Sequence, residues 1–261
     1  MLKKSFHIGV TTHPQPDLSS PYFSACVDGL LAVFNQSDLS FNPHGSKIDG
    51  WVLLAPNSAQ VDEIRRIGQP AVIVNGSADD LPCIDLDNLG AAREITAYLV
   101  GQGHRRIGFI AGKSEMANAQ DRLEGYRQGL AENGIPWDPS LIIEGRFERA
   151  GGQNAMNQFI RMTPSPTAVF AANDHMALGA WDVLTERKIL VPKHMSLVGF
   201  DDIPEADMAG LTSFHQPLTD MARQAGVLLF TWMRTGRRGT KGIHFVSGEL
   251  RKRNSSGPTV K

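Results

Sequence analysis

Short apolar runs alternate with amphipathic stretches along most of the chain. The runs 7–11, 51–55, 71–74, 107–111, 141–144, 168–172 and 196–200 have strand length and almost no polar interruption. Continuous apolar character of that kind marks strands covered on both faces. Helical spacing between them predicts helices over 22–35, 59–67, 89–102, 121–133, 150–161, 175–187 and 217–235. This alternation predicts an α/β chain with doubly wound parallel sheets. The punctuation agrees. Asn133-Gly134-Ile135-Pro136 offers a left-handed residue and then a proline after a helix, Gly101-Gln102-Gly103 does the same before Ile107, and Asn173 or Asp174 supplies an N-cap.

Two regions break the rhythm. After Phe200 the pattern shifts to a short run at 212–215, a long helix, and two further short strands at 243–246 and 249–253. That order suits a chain that crosses between two lobes more than once. Between the first helix and Trp51 lie only residues 36–50. Adjacent parallel strands need a crossover of about a dozen residues or more. Residues 39–42 suit a strand, but Pro43-His44-Gly45 leaves no room for a helix, so a strand–helix portion is expected to be missing here.

Composition narrows the classes. The 261 residues suffice for a large core and suggest two domains. A net charge of −1 makes this chain alone a poor holder of DNA phosphate. The one basic cluster, Arg234, Arg237, Arg238 and Lys241, reads as a solvated helix end. Cys26 and Cys83 lack metal or redox spacing and read as buried small hydrophobes. No apolar run is long enough to span a bilayer, and the N-terminus enters a strand without an apolar leader, which favours a cytoplasmic protein. No cofactor or metal motif is found: no G-x-G-x-x-G after a strand, no G-x-x-x-x-G-K-[ST], no H-E-x-x-H and no G-x-S-x-G. Asp201 and Asp202 are adjacent and should point apart, a poor acid/base pair, and His104 reads as a solvated loop residue. An enzyme is therefore not expected.

The informative polar residues stand where strands end. Phe200 runs into Asp201 and Asp202, a second strand ends on Gln216, and Ala171 runs into Ala172-Asn173-Asp174. Open α/β sheets bind ligands at such strand ends. Asp, Asn and Gln there suit a polyhydroxylated small molecule, since their oxygens and amides pair with hydroxyls.

The motifs 103–112 (Gly-His-Arg-Arg-Ile-Gly-Phe-Ile-Ala-Gly), 122–126 (Arg-Leu-Glu-Gly-Tyr), 172–179 (Ala-Asn-Asp-His-Met-Ala-Leu-Gly) and 197–203 (Leu-Val-Gly-Phe-Asp-Asp-Ile) occur in register. With Ser20-Pro21-Tyr22-Phe23 near the start and 212–217 near the end, they resemble the effector-binding part of lactose-repressor-type (LacI/GalR) transcriptional regulators. The resemblance runs from Ile8 to about Ser256 and is weakest over 36–50. It implies a type I periplasmic-binding-protein-like fold of two lobes joined by three crossovers: 1–87 plus 216–239, and 88–215 plus 240–261. It further implies a small effector between the lobes, a homodimer, and operator DNA bound only through a helix-turn-helix headpiece that this sequence lacks.

The same resemblance marks site residues. Tyr22 and Phe23 fall at an aromatic pair that either stacks on a sugar or belongs to the core. Asn75 stands where many relatives have Asp, keeping an acceptor but losing the charge. Arg122 brings a guanidinium fork at a helix start for two adjacent hydroxyls or a carboxylate, or else forms a surface salt bridge with Asp121 or Glu124. Phe147 matches an aromatic lid or core residue. Asn173 either caps its helix or touches ligand, or both. Asp201 matches a hydroxyl-binding carboxylate, and Gln216 reaches either ligand or hinge. Met116 stands where purine-responsive relatives carry a second Arg, so a neutral sugar is expected over a purine or an anion. The alternative is a periplasmic sugar-binding protein of a transport system, which shares the fold but needs an export signal.

Overall fold

The protein is described by a computed structural model covering residues 6–12, 21–41 and 47–259. In chain order the elements begin with β1 (Ile8–Thr12), α1 (Pro21–Leu31), β2 (Leu39–Phe41), β3 (Gly50–Leu54), α2 (Ser58–Ile67), β4 (Ala71–Val74) and β5 (Pro82–Leu86). Then come α3 (Asn88–Gly101), β6 (Ile107–Ala111), α4 (Ala117–Glu132), β7 (Ile142–Glu144), α5 (Arg149–Phe159), β8 (Ala168–Ala171), α6 (Asp174–Glu186) and β9 (Ser196–Asp201). The chain closes with α7 (Pro204–Ala209), β10 (Thr212–His215), α8 (Leu218–Thr235), β11 (Gly242–Val246) and β12 (Glu249–Arg251). No helix among the described residues is long and apolar enough to cross a membrane.

The chain forms two compact units. One takes the described residues up to Leu86 and Pro217–Ser247; the other takes Asp87–Gln216 and the described residues from Gly248 onward. The first carries a six-stranded sheet of order β11-β5-β4-β3-β1-β2, parallel throughout. The second carries the order β12-β10-β9-β8-β6-β7, parallel except for the antiparallel pair β10–β12. The division expected from sequence differs at its edges: it places residues 240–247 with the second unit and residues 87 and 216 with the first, whereas Asp87 and Gln216 belong to the second. The structure puts β11 in the first sheet, because Gly242–Val246 pairs in register with Pro82–Leu86.

In the first unit, alternation along the strands serves two cores. Val52, Leu54, Val72, Val74 and Ile84 pack with α1 and α8, whereas Leu53, Ala71, Ile73 and Cys83 pack with Val61 and Ile64 of α2. Successive residues point to opposite faces, and both faces are apolar because both are covered. Cys26 and Cys83 are buried here as free thiols, and burial pushes their pKa values up to about 12 and about 11.

Several boundaries differ from the sequence reading. Helix α1 stops at Leu31 instead of 35, and Gln36–Asp38 forms a 3-10 turn. Helix α4 begins a turn earlier than expected. Strand β5 and helix α7 were not foreseen, both being short and opened by proline. A proline fits the first residue of a strand and the first of a helix, where no N–H is required. The expectation of a missing strand–helix portion over 36–50 falls partly on residues 42–46, outside the described residues. On either side of them, β2 and β3 flank β1, both parallel to it.

Helix pairs approach closely where glycine removes the side chain. A Cβ at Gly125 of α4 would lie 2.2 Å from the Leu89 carbonyl oxygen of α3, and one at Gly179 of α6 would lie 2.0 Å from the Arg149 carbonyl oxygen of α5. Backbone cannot yield as a side-chain tip can. Gly179→Ala is therefore expected to cost about 1–3 kcal/mol, the usual range for overpacking a dense interior. Urea unfolding measures it, and an unchanged midpoint would show that the α5–α6 contact is looser than this geometry requires.

Candidate functional site

In the second unit, polar groups collect beyond the C-terminal ends of its strands. Arg122 lies in the second turn of α4, not at the helix start expected from sequence, and is only 2% exposed. Its Nε donates to Asn88 Oδ1 at 2.9 Å, and its Nη1 donates to the Ala172 carbonyl oxygen at 2.6 Å and to Asp201 Oδ1 at 3.5 Å. The guanidinium carbon sits 3.7 Å from the centre of the Phe200 ring, a cation–π stack. Arg122 is buried, not on the surface, and Glu124 pairs with Arg127.

Asp201 receives a second donor, Gln216 Nε2, at 2.5 Å. Gln216 Oε1 is buried without a hydrogen-bond partner among the described residues. Burial raises the Asp201 carboxyl above its ordinary pKa, while the Arg122 charge and the Gln216 hydrogen bond oppose the rise. Such a carboxylate favours further donors, since each one it accepts offsets part of the desolvation cost. Asp202 points elsewhere. It pairs with Arg251 at 2.6 Å, with Arg253 at 2.7 Å and with His215 at 3.1 Å. Burial alone would raise its pKa, but these partners outweigh burial and hold it below the ordinary value. Both residues have positive φ, 108° and 57°. That double turn separates the two carboxylates.

Asn173 does two jobs. Its Oδ1 caps α6 by accepting from the Met176 N–H at 3.0 Å, and its Nδ2 donates to the Phe147 carbonyl oxygen at 3.2 Å. The tip of the Phe147 ring abuts Gly112, where a Cβ would come within 2.1 Å of Phe147 Cζ. Arg146 and Phe147 are both in the left-handed region, at φ 58° and 64°. A strained pair pinned by a ring contact and a hydrogen bond marks a fixed aromatic wall. The structure thus brings Arg122, Asp201 and Gln216 together directly, and ties Asn173 to Phe147.

The first unit holds the remaining expected residues. Asn75 follows β4 at φ 58°, and its Nδ2 donates to the Tyr22 hydroxyl at 3.2 Å. Asn75 Oδ1 is buried without a hydrogen-bond partner among the described residues. Phe23 is a correction: its ring is packed in the core against Phe41, with centroids 5.4 Å apart. Adjacent helix residues point about 100° apart, so the Tyr22 hydroxyl meets Asn75 while the Phe23 ring turns into the core, and the two do not act as an aromatic pair. Among the described residues no cluster of three His, Cys, Asp or Glu side chains suits a metal ion.

Sequence reasoning missed other members. Asn88, Phe200 and the Ala172 carbonyl set the Arg122 fork, and nothing local in the sequence distinguishes them. His104 is also a correction. It is buried rather than solvated, with Nδ1 2.9 Å from Thr167 Oγ1 and Nε2 3.1 Å from both Ser196 Oγ and the Gly257 carbonyl oxygen. It fastens the C-terminal tail to the second sheet, and burial lowers its pKa. In the basic cluster, Arg238 lies over the Trp232 ring and donates to the Asp80 carbonyl oxygen, while Arg234 lies near the Phe230 ring.

Comparison with known proteins gives this geometry its context. A family model described as a periplasmic binding protein-like domain matches residues 96–256. The HTH-type transcriptional repressor CytR of Escherichia coli K12 is 35% identical over 265 residues, covering 92% of this chain and 77% of CytR. The HTH-type transcriptional regulator CelR of Thermobifida fusca is 35% identical over 196 residues, covering 71% of this chain and 57% of CelR. Among solved structures, a complex of the transcriptional regulator CelR with cellobiose superposes with a TM-score of 0.86 at 26% identity, covering 95% of this chain and 84% of that one. These relatives are transcriptional regulators. The chain belongs to the LacI/GalR family of transcriptional regulators and spans its effector-binding, periplasmic-binding-protein-like core.

Proposed function

We propose that this core senses a neutral, hydroxyl-rich effector, a sugar, and that occupancy sets the affinity of the regulator for operator DNA. The reading rests above all on acceptor oxygens at strand ends that await donors. Among the described residues, Gln216 Oε1 and Asn75 Oδ1 are buried without hydrogen-bond partners, and Asp201 is a desolvated carboxylate. Buried unpaired acceptors are rare and costly, and hydroxyl donors from a ligand relieve them. A carboxylate effector would instead face the Asp201 charge. Met116 at the start of α4 adds no cation to favour an anion. The cellobiose bound in the CelR complex fits the same chemistry. We propose that Arg122, Asp201, Gln216, Asn173 and Phe147 contact the effector in the second unit, and Tyr22 and Asn75 in the first. The working regulator is a cytoplasmic homodimer.

A thermal-shift screen against mono- and disaccharides, cellobiose included, tests the reading. A sugar present at 100 times its Kd stabilises the chain by about 2.7 kcal/mol, which raises the melting temperature measurably. A panel in which no sugar shifts the transition, while a carboxylate or a purine does, would overturn it.

A further inference from the structure

We propose that Asp174, seated through Gly199 and relayed by Ser213, is a positioning residue for effector binding: it clamps the turn that presents Asp201 without touching the effector. The proposal rests on the reading of Asp201 as an effector contact.

The turn at 201–203 needs a clamp. Two consecutive non-glycine residues stand in the left-handed region, a conformation that persists only when the surroundings fix it. Asp174, the first residue of α6, is 0% exposed. Its Oδ2 accepts from the Ile203 N–H at 2.9 Å, and its Oδ1 accepts from the Ser213 hydroxyl at 2.6 Å. Ser213 Oγ in turn accepts from the Asp202 N–H at 3.1 Å. Two successive amides of the turn therefore end on one carboxylate, one directly and one through a hydroxyl.

Strand β9 is shaped for this. A Cβ at Gly199 would lie 2.0 Å from Asp174 Oδ1, so only glycine leaves room for the carboxylate. The residue type is also constrained. Both Asp174 oxygens accept, and an Asn would turn its amide toward one of the two donors. A buried carboxylate held by neutral donors is expensive to keep. Burial and the nearby Asp201 push its pKa well above the ordinary value, against the Ser213 and Ile203 hydrogen bonds. α6 already has its cap from Asn173, so helix capping does not account for Asp174.

Amide hydrogen exchange resolved by residue tests the clamp on the whole chain without ligand. Asp174→Ala should speed exchange at both Asp202 and Ile203 at least tenfold. Ser213→Ala, the milder change, should do so at Asp202 alone. Amides of β6 and β8 should change less than twofold in either variant. The Asp201 side-chain 13Cγ resonance should move in both, reporting a displaced carboxylate. Affinity for the best sugar of the panel, or for cellobiose if that is the binder, should fall at least tenfold. Unchanged exchange at both amides in the two variants would overturn the clamp. Lost protection with unchanged sugar affinity would overturn the positioning role. If the parent binds no sugar at all, the effector reading fails, and the exchange pattern with the Asp201 resonance still decides whether Asp174 holds the turn.

Discussion

Arg122→Ala is expected to abolish the sugar-induced thermal shift and to destabilise the second unit by about 3–5 kcal/mol, because two buried acceptors lose their donors at about 1–3 kcal/mol each. The loss has several sources. The substitution leaves Asn88 Oδ1 and the Ala172 carbonyl without the donors at 2.9 and 2.6 Å, removes the stack on Phe200, and withdraws the cation nearest Asp201. Arg122→Lys should recover part of the stability but little of the binding, because an ammonium cannot reproduce a planar fork that serves three acceptors at fixed angles. Urea unfolding followed by tryptophan fluorescence, with calorimetric sugar titration, measures both effects. An alanine variant with the parental midpoint and parental affinity would remove Arg122 from the site.

Asp201→Asn and Asp202→Asn, at adjacent positions, should fail in opposite ways. Asp202→Asn should cost about 2–3 kcal/mol at neutral pH, in the range of hydrogen bonds to charged groups. It removes the negative partner of Arg251, Arg253 and His215. The folded Asp202 carboxyl is held below its ordinary value. Its contribution is therefore complete above the unfolded carboxyl range near about pH 4 and disappears as pH falls through the lower folded value. The parent–variant difference should shrink on acidification in that window.

Asp201→Asn should leave stability unchanged or slightly raised while weakening sugar affinity by about ten- to a hundredfold, the equivalent of one or two charged hydrogen bonds. The sign follows from its raised carboxyl. Stabilisation from such a group is complete below the unfolded value and is lost as pH rises through the folded one. At neutral pH the buried charge is thus a cost that the amide avoids. Chemical denaturation at several pH values, paired with sugar titration, checks both variants. A large stability loss on Asp201→Asn with intact binding would exchange the roles assigned here.

Much of the architecture was legible because it depends on local rules. The apolar runs, the glycine and proline stops, and the Asn173 cap are set within a few residues, and the parallel sheets follow from their alternation. Boundaries failed where a proline hid a short element, as at Pro82 and Pro204. The path of the chain failed at 242–246: a strand of that length carries no mark of which edge it will join, and only pairing with β5 decides it.

The site shows the same division. Residue types at strand ends, Asp201 and Asn173 and Gln216, could be read from the sequence because open sheets expose strand ends. The partners could not. Asn88 and Arg122 are 34 positions apart, Asp174 and Ser213 are 39 apart, and Asp202 and Arg251 are 49 apart. Hydrogen bonds over such separations leave no periodicity in a single sequence. By itself the sequence determined most of the elements and which polar groups stand at their ends, since steric and hydrophobic preferences act over a few residues. Only the tertiary structure decided that Phe23 belongs to the core, that His104 is buried, and that Asp201 and Asp202 face different partners. Those outcomes depend on which distant groups packing brings within about 3 Å, the range over which a hydrogen bond acts.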